Sequence, residues 1–77
     1  MTIDKIKEWN TQEIINRLGE KYPGKISEEA LDILKDNEID GDAFLELTKE
    51  ELMQDGMKRG PAIKIAKYIK ELKGVYH

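Results

Sequence analysis

The hexapeptide Leu47-Thr48-Lys49-Glu50-Glu51-Leu52 leaves the backbone around it little freedom. Thr48 and Glu51 stand at capping-box spacing: the threonine hydroxyl satisfies the Glu51 amide while the Glu51 carboxylate reaches back to the Thr48 amide. Leu47 and Leu52 flank the pair at the positions of a hydrophobic staple, which sets the angle at which the chain enters a helix. A helix therefore starts at Thr48, and Gly56, suited to the left-handed conformation that ends helices, keeps it short. Lys58-Arg59-Gly60-Pro61 follows, and the preset φ and missing amide of proline suit a first helical turn. From there Ala62, Ile65, Ala66, Ile69, Leu72 and Tyr76 make one apolar stripe at the helical period, with Lys64, Lys67, Lys70 and Glu71 opposite. The spacing predicts a long amphipathic C-terminal helix with a basic outer face.

The same start signal recurs upstream. Asn10 and Glu13 repeat the box, Trp9 and Ile14 repeat the staple, and the helix they open is expected to reach Leu18 and stop at Gly19. Tyr22-Pro23-Gly24 marks a turn. Ser27 is the natural N-cap of the next helix, with Glu28 and Glu29 placed against the positive end of its dipole. Ala30, Leu31, Ile33 and Leu34 face inward along it, its end lies near Asn37, and a short helical turn follows over Asp42 to Glu46. Ile3 and Ile6, at helical spacing ahead of Trp9, make residues 1–8 a lead-in turn that packs on the core. Nothing reads as a strand hairpin or an internal repeat. The expected fold is all-α, a compact five-helix bundle, with residues 1–8 as lead-in, 9–73 as the helical body and 74–77 as a tail.

Size limits what such a bundle does. A chain of 77 residues buries only about 60% of its unfolded surface, which disfavours a large enclosed active site. Its 39% apolar content supports a small core. Without cysteine it has neither a disulfide scaffold nor a thiolate metal site. His77 is the last residue and Ser27 is occupied as a cap, so no nucleophile and base come together, and no catalytic residue, cofactor or small-molecule substrate is expected. Asp36-x-Glu38-x-Asp40-Gly41 looks like the opening of a calcium loop. Its third position is Glu, and the position that should supply a bidentate Glu is Leu47, so no metal site is expected. The N-terminus lacks a signal-peptide core and no apolar run is long enough to span a bilayer; the expectation is a soluble intracellular domain, cytoplasmic with the nucleus left open, cut from a longer protein.

The charges are not mixed evenly. Residues 1–27 carry a balance of +1, residues 28–55 set eleven acids against Lys35 and Lys49 for −9, and residues 56–77 carry +5. The net charge of −3 hides a polarised molecule. If the acidic middle of one copy meets the basic last helix of another, the two patches differ and the contact is head-to-tail. Such contacts close into rings or continue as open filaments.

Asn37-Glu38-Ile39-Asp40-Gly41, Leu45-x-Leu47-Thr48-x-Glu50-Glu51-Leu52, Gly56-Met57, Gly60-Pro61, Ile63-Lys64-Ile65 and the closing Ile69 and Leu72 resemble the sterile alpha motif (SAM) domain in order and spacing, as do Trp9, Ile14 and Leu18 upstream. The resemblance covers roughly residues 9 to 72. It implies a protein-interaction module that pairs with another copy of the same chain or with a different SAM domain, through a mid-loop surface docking on an end-helix surface. Carried over by position, the mid-loop residues are Asp36, Glu38, Asp40, Asp42, Glu46 and Glu50. The end-helix residues are Met57, Lys58, Arg59, Gly60, Pro61, Lys64 and Lys67, with Met57, Pro61 and Ala62 as sources of apolar contact. A minority of the family holds the phosphates of an RNA hairpin at the start of its last helix, and Lys58 to Lys64 offers cations for that alternative. Against it stand the acidic half of the chain and Ala62, where RNA-binding members are more basic. A membrane role is not expected, since the apolar stripe of the last helix is needed for the core.

Overall fold

In the computed structural model, which describes residues 2–75, the chain forms six helices in the order α1 (Ile3–Lys7), α2 (Thr11–Lys21), α3 (Glu28–Asp36), α4 (Gly41–Glu46), α5 (Lys49–Gln54) and α6 (Arg59–Val75). Tyr76, placed on the last apolar stripe by its spacing, and His77 lie outside the described residues. The all-α bundle is as expected, with one helix more than the five anticipated. The stretch 1–8, read as a lead-in turn, contains α1, and α6 continues past residue 73 to Val75.

Helix starts follow local chemistry. The Thr2, Asn10, Ser27, Asp40 and Thr48 side chains accept from the amides of Lys5, Glu13, Ala30, Ala43 and Glu51, at 2.9 to 3.3 Å. Each satisfies an amide that a helix leaves without an internal partner. Two of these are reciprocal boxes: the Asn10 and Thr48 amides donate to Glu13 and Glu51 at 3.2 and 3.1 Å. Both staples close as well, with Trp9, Ile14 and Leu52 buried and Leu47 packed against the same core.

Helix ends were less legible. α2 does not stop at Gly19 but passes through it to Lys21. An exposed glycine inside a helix costs only about 1 kcal/mol, which a packed helix tolerates. The break falls at Tyr22, with φ −128 and ψ 68, because the following Pro23 disfavours the helical region for the residue before it. α3 and α5 end unlike α2 and like each other. The Glu38 amide donates to the Lys35 carbonyl and the Ile39 amide to the Leu34 carbonyl, both at 3.0 Å. One helix later, the Gly56 amide donates to Met53 at 3.0 Å and the Met57 amide to Leu52 at 3.1 Å. This Schellman pairing needs a left-handed residue, supplied by Gly56 (φ 105) and, less comfortably, by Glu38 (φ 53). It also folds the next residue back onto the helix, so Ile39 and Met57 turn inward.

The core gathers Ile6, Ile14, Leu18, Leu34, Phe44, Leu52 and Ile65, all fully buried. α1 joins it through a close crossing with α4. The Gly41 amide donates to the Trp9 carbonyl at 2.7 Å, and a methyl group on Gly41 would fall on the Ile6 carbonyl oxygen. Distant segments are tied by side chains bonding to backbone: Thr11 Oγ1 donates to the Ile39 carbonyl at 2.7 Å and Tyr22 Oη to the Lys64 carbonyl at 3.2 Å. Lys73 Nζ donates to the Leu45 carbonyl at 3.0 Å, covering an end of α4, so this lysine of α6 serves the fold. Tyr68 packs its ring 6.3 Å from that of Phe44, and burial raises its phenol above the ordinary value of 10.0, an effect opposed by Arg17 and Lys21.

Candidate protein-interaction surfaces

All six mid-loop carboxylates, Asp36, Glu38, Asp40, Asp42, Glu46 and Glu50, are exposed. They come from three successive segments: Asp36 and Glu38 from the end of α3, Asp40, Asp42 and Glu46 from α4 and its cap, and Glu50 from the first turn of α5. Glu38 and Asp40 share the wall of a shallow depression of about 390 Å³ with Asn10, Thr11, Gln12, Ile15 and Lys35. Asp42 and Glu46, four apart on α4, lie on one face of that helix. Asp40 is not a free surface group, because one carboxylate oxygen is engaged by the Ala43 amide at 3.0 Å. A partner would meet its other oxygen.

On the opposite charge, Lys58, Arg59, Gly60 and Lys67 are exposed, and Pro61 and Lys64 are half-buried. Met57 does not belong with them. It is buried at 4% exposure, because the Schellman turn after α5 folds it over Leu52. Ala62 is fully buried as well, so neither supplies the apolar contact expected of it. Ile63 does remain at the surface, 46% exposed. The sequence held the signal for it: Ile63 sits off the apolar stripe of Ala62, Ile65, Ala66 and Ile69, and an apolar residue off the stripe faces water.

The start of α6 differs from every other helix start in the chain. Where α1 to α5 begin on an acceptor side chain, α6 begins on Lys58, whose carbonyl takes the first helical bond from the Ala62 amide at 3.1 Å. A lysine ammonium only donates, so it cannot satisfy the amides beside it. The first turn carries no acid, and Arg59 adds a second cation at the end where the helix dipole is already positive. No ion pair among the described residues relieves this. The two ion pairs among the described residues are Lys21 to Glu71 at 3.3 Å and Lys35 to Asp32 at 3.8 Å, and neither uses a mid-loop acid or an end-helix cation. A depression of about 510 Å³ is walled by Thr2, Lys5, Glu8, Trp9, Glu13 and Arg17 and contains none of the candidate residues. Within it the Arg17 guanidinium stacks 4.2 Å above the Trp9 ring. No described helix is long and apolar enough to cross a membrane.

A family model described as a SAM-like domain matches residues 1–71. Its span takes in α1, which the sequence resemblance from residue 9 onward had left outside. A search of curated proteins finds no match. SAM-like domains are generally protein-interaction modules rather than enzymes.

Proposed function

We propose, from the premise that this chain belongs to the SAM-like domain family, that it associates head-to-tail with further copies of itself, the acidic segment 36–50 of one copy docking on the start of α6 of the next. One observation carries this reading. Helix α6 opens with two cations and no acceptor cap, a locally unfavourable arrangement that an arriving carboxylate relieves. Local rules are broken where function requires it. The acidic segment supplies carboxylates that are exposed and take part in no ion pair among the described residues. Because the two surfaces are different, each docked copy leaves one of each free. Closed rings or open filaments follow according to the rotation between neighbours.

A phosphate backbone would use the same cations, and their exposure at Lys58, Arg59 and Lys67 is what speaks for the RNA reading. That reading gives the acidic segment no part, which separates the two. The test is a mixture of Glu46→Lys and Lys67→Glu. Both positions are exposed, and a lysine in the last turn of α4 suits the dipole there, so neither change disturbs the fold. Each variant alone is expected to be a monomer. Together they form a one-to-one dimer through the surface each retains, seen by sedimentation. Two monomers that stay apart when mixed defeat the head-to-tail reading. Glu46→Lys that still binds a labelled RNA hairpin while Lys67→Glu does not would favour the phosphate reading.

A further inference from the structure

Two large apolar side chains are exposed among the described residues, Met53 at 38% and Ile63 at 46%. A single exposed apolar residue is ordinary on a protein surface. Their positions relative to the charges are not random. Ile63 stands on the solvent side of α6 with Arg59 one turn before it and Lys67 one turn after, and Lys70 a further turn along the same face. Gly60, three residues back, has no side chain and leaves the isoleucine open from that side. Ile63 is therefore an apolar spot in a collar of cations. Met53 stands on α5 one turn after Lys49 and Glu50, in the segment whose charge balance is −9. One exposed apolar residue thus accompanies each charged surface, and none is left over.

We infer that Ile63 is the apolar anchor of the basic surface and that Met53 forms its seat on the acidic surface of a second copy of the chain. The inference rests on the head-to-tail reading and adds to it what charges alone do not supply. Opposite charges steer encounter and set orientation, while affinity comes chiefly from a desolvated centre surrounded by a polar rim. The arrangement here has that anatomy: an isoleucine flanked along one face of α6 by Arg59, Lys67 and Lys70 meeting an unbranched, adaptable methionine beside Glu50. The partner is a second copy because the chain itself carries both the basic collar and the acidic segment that complements it.

The experiment uses the two complementary backgrounds, Glu46→Lys with its basic surface intact and Lys67→Glu with its acidic surface intact, which pair through one defined contact. Ile63→Ala is introduced into each in turn and the dissociation constant is measured by calorimetry. In the Glu46→Lys chain, removing the isoleucine surface is expected to weaken the pair on the order of tenfold. In the Lys67→Glu chain it is expected to change nothing. Met53→Ala is expected to show the reverse pattern, weakening the pair only in the Lys67→Glu chain. Alanine is the strongest helix former and both sites are exposed, so loss of folding does not mimic these effects. An Ile63→Ala change without effect in both backgrounds, while the parent pair still forms, overturns the anchor and leaves the head-to-tail reading in place. A parent pair that does not form overturns both.

Discussion

Arg59→Glu is expected to move stability and assembly in opposite directions. Arg59 is the first residue of the 17-residue helix α6, beside the uncapped and positive end of its dipole. Exchanging a cation for an anion there removes one unfavourable charge and adds one favourable charge, each worth about 0.3–1 kcal/mol at an exposed terminus at low salt. After discounting for solvent screening, the gain is about 1 kcal/mol. For a domain of this size that raises the melting temperature by roughly 4–8 °C. The same substitution places a carboxylate where the acidic segment of the next copy would arrive, and self-association is expected to be lost. Thermal unfolding followed by circular dichroism at low salt, alongside sedimentation of the same samples, reads both effects. A lowered melting temperature would refute the argument that the helix start is locally unfavourable. Association equal to wild type would refute the argument that the arrangement serves docking.

Three further changes test the fold that holds the surfaces. Gly41→Ala forces a methyl group onto the Ile6 carbonyl oxygen and is expected to cost about 3 kcal/mol in urea unfolding, with α1 losing its seat on α4. Glu38→Gly relieves a left-handed non-glycine residue at φ 53 and is expected to stabilise by about 1 kcal/mol, seen as a higher urea midpoint with an unchanged slope. Burial raises the Tyr68 phenol above 10.0, so the folded chain holds that proton more tightly than the unfolded chain does. Its contribution is intact below pH 10 and is lost as the pH rises through the folded value. Tyr68→Phe is therefore expected to lose less stability than wild type between about pH 8 and about pH 11 in urea titrations.

What the sequence disclosed and what it hid divide along the range of the interactions involved. Thr48 with Glu51, Asn10 with Glu13, and Ser27 ahead of Ala30 depend on residues three apart, so they were readable without knowing the fold. α1 was readable only as a lead-in turn, because Ile3 and Ile6 supply a single helical spacing, and its place depends on Gly41 some thirty-five positions away. The end of α2 was misplaced because glycine terminates a helix only where the left-handed conformation is adopted, and the effect of Pro23 on Tyr22 outweighed Gly19.

The two charged surfaces were legible as composition, since runs of like charge at exposed helix positions survive any detail of packing. Their membership was less so. Asp40 combines its place on the acidic surface with the capping of α4, a role legible only once Gly41 was known to open a helix. Met57 is expected at the surface as a source of apolar contact, although a hydrophobic residue directly after a helix-ending glycine characteristically packs back on that helix, here on Leu52. Ile63, in the same stretch, is marked as exposed by its distance from the apolar stripe.

If this SAM-like chain joins to itself through unlike, oppositely charged surfaces, its size in solution depends on both concentration and salt. Sedimentation velocity of the wild-type chain across a concentration series, at low and at high salt, tests it most directly. The sedimentation coefficient is expected to grow with concentration at low salt and to fall back toward that of a monomer as salt screens the contact. A monomer at every concentration and both salt conditions would contradict it.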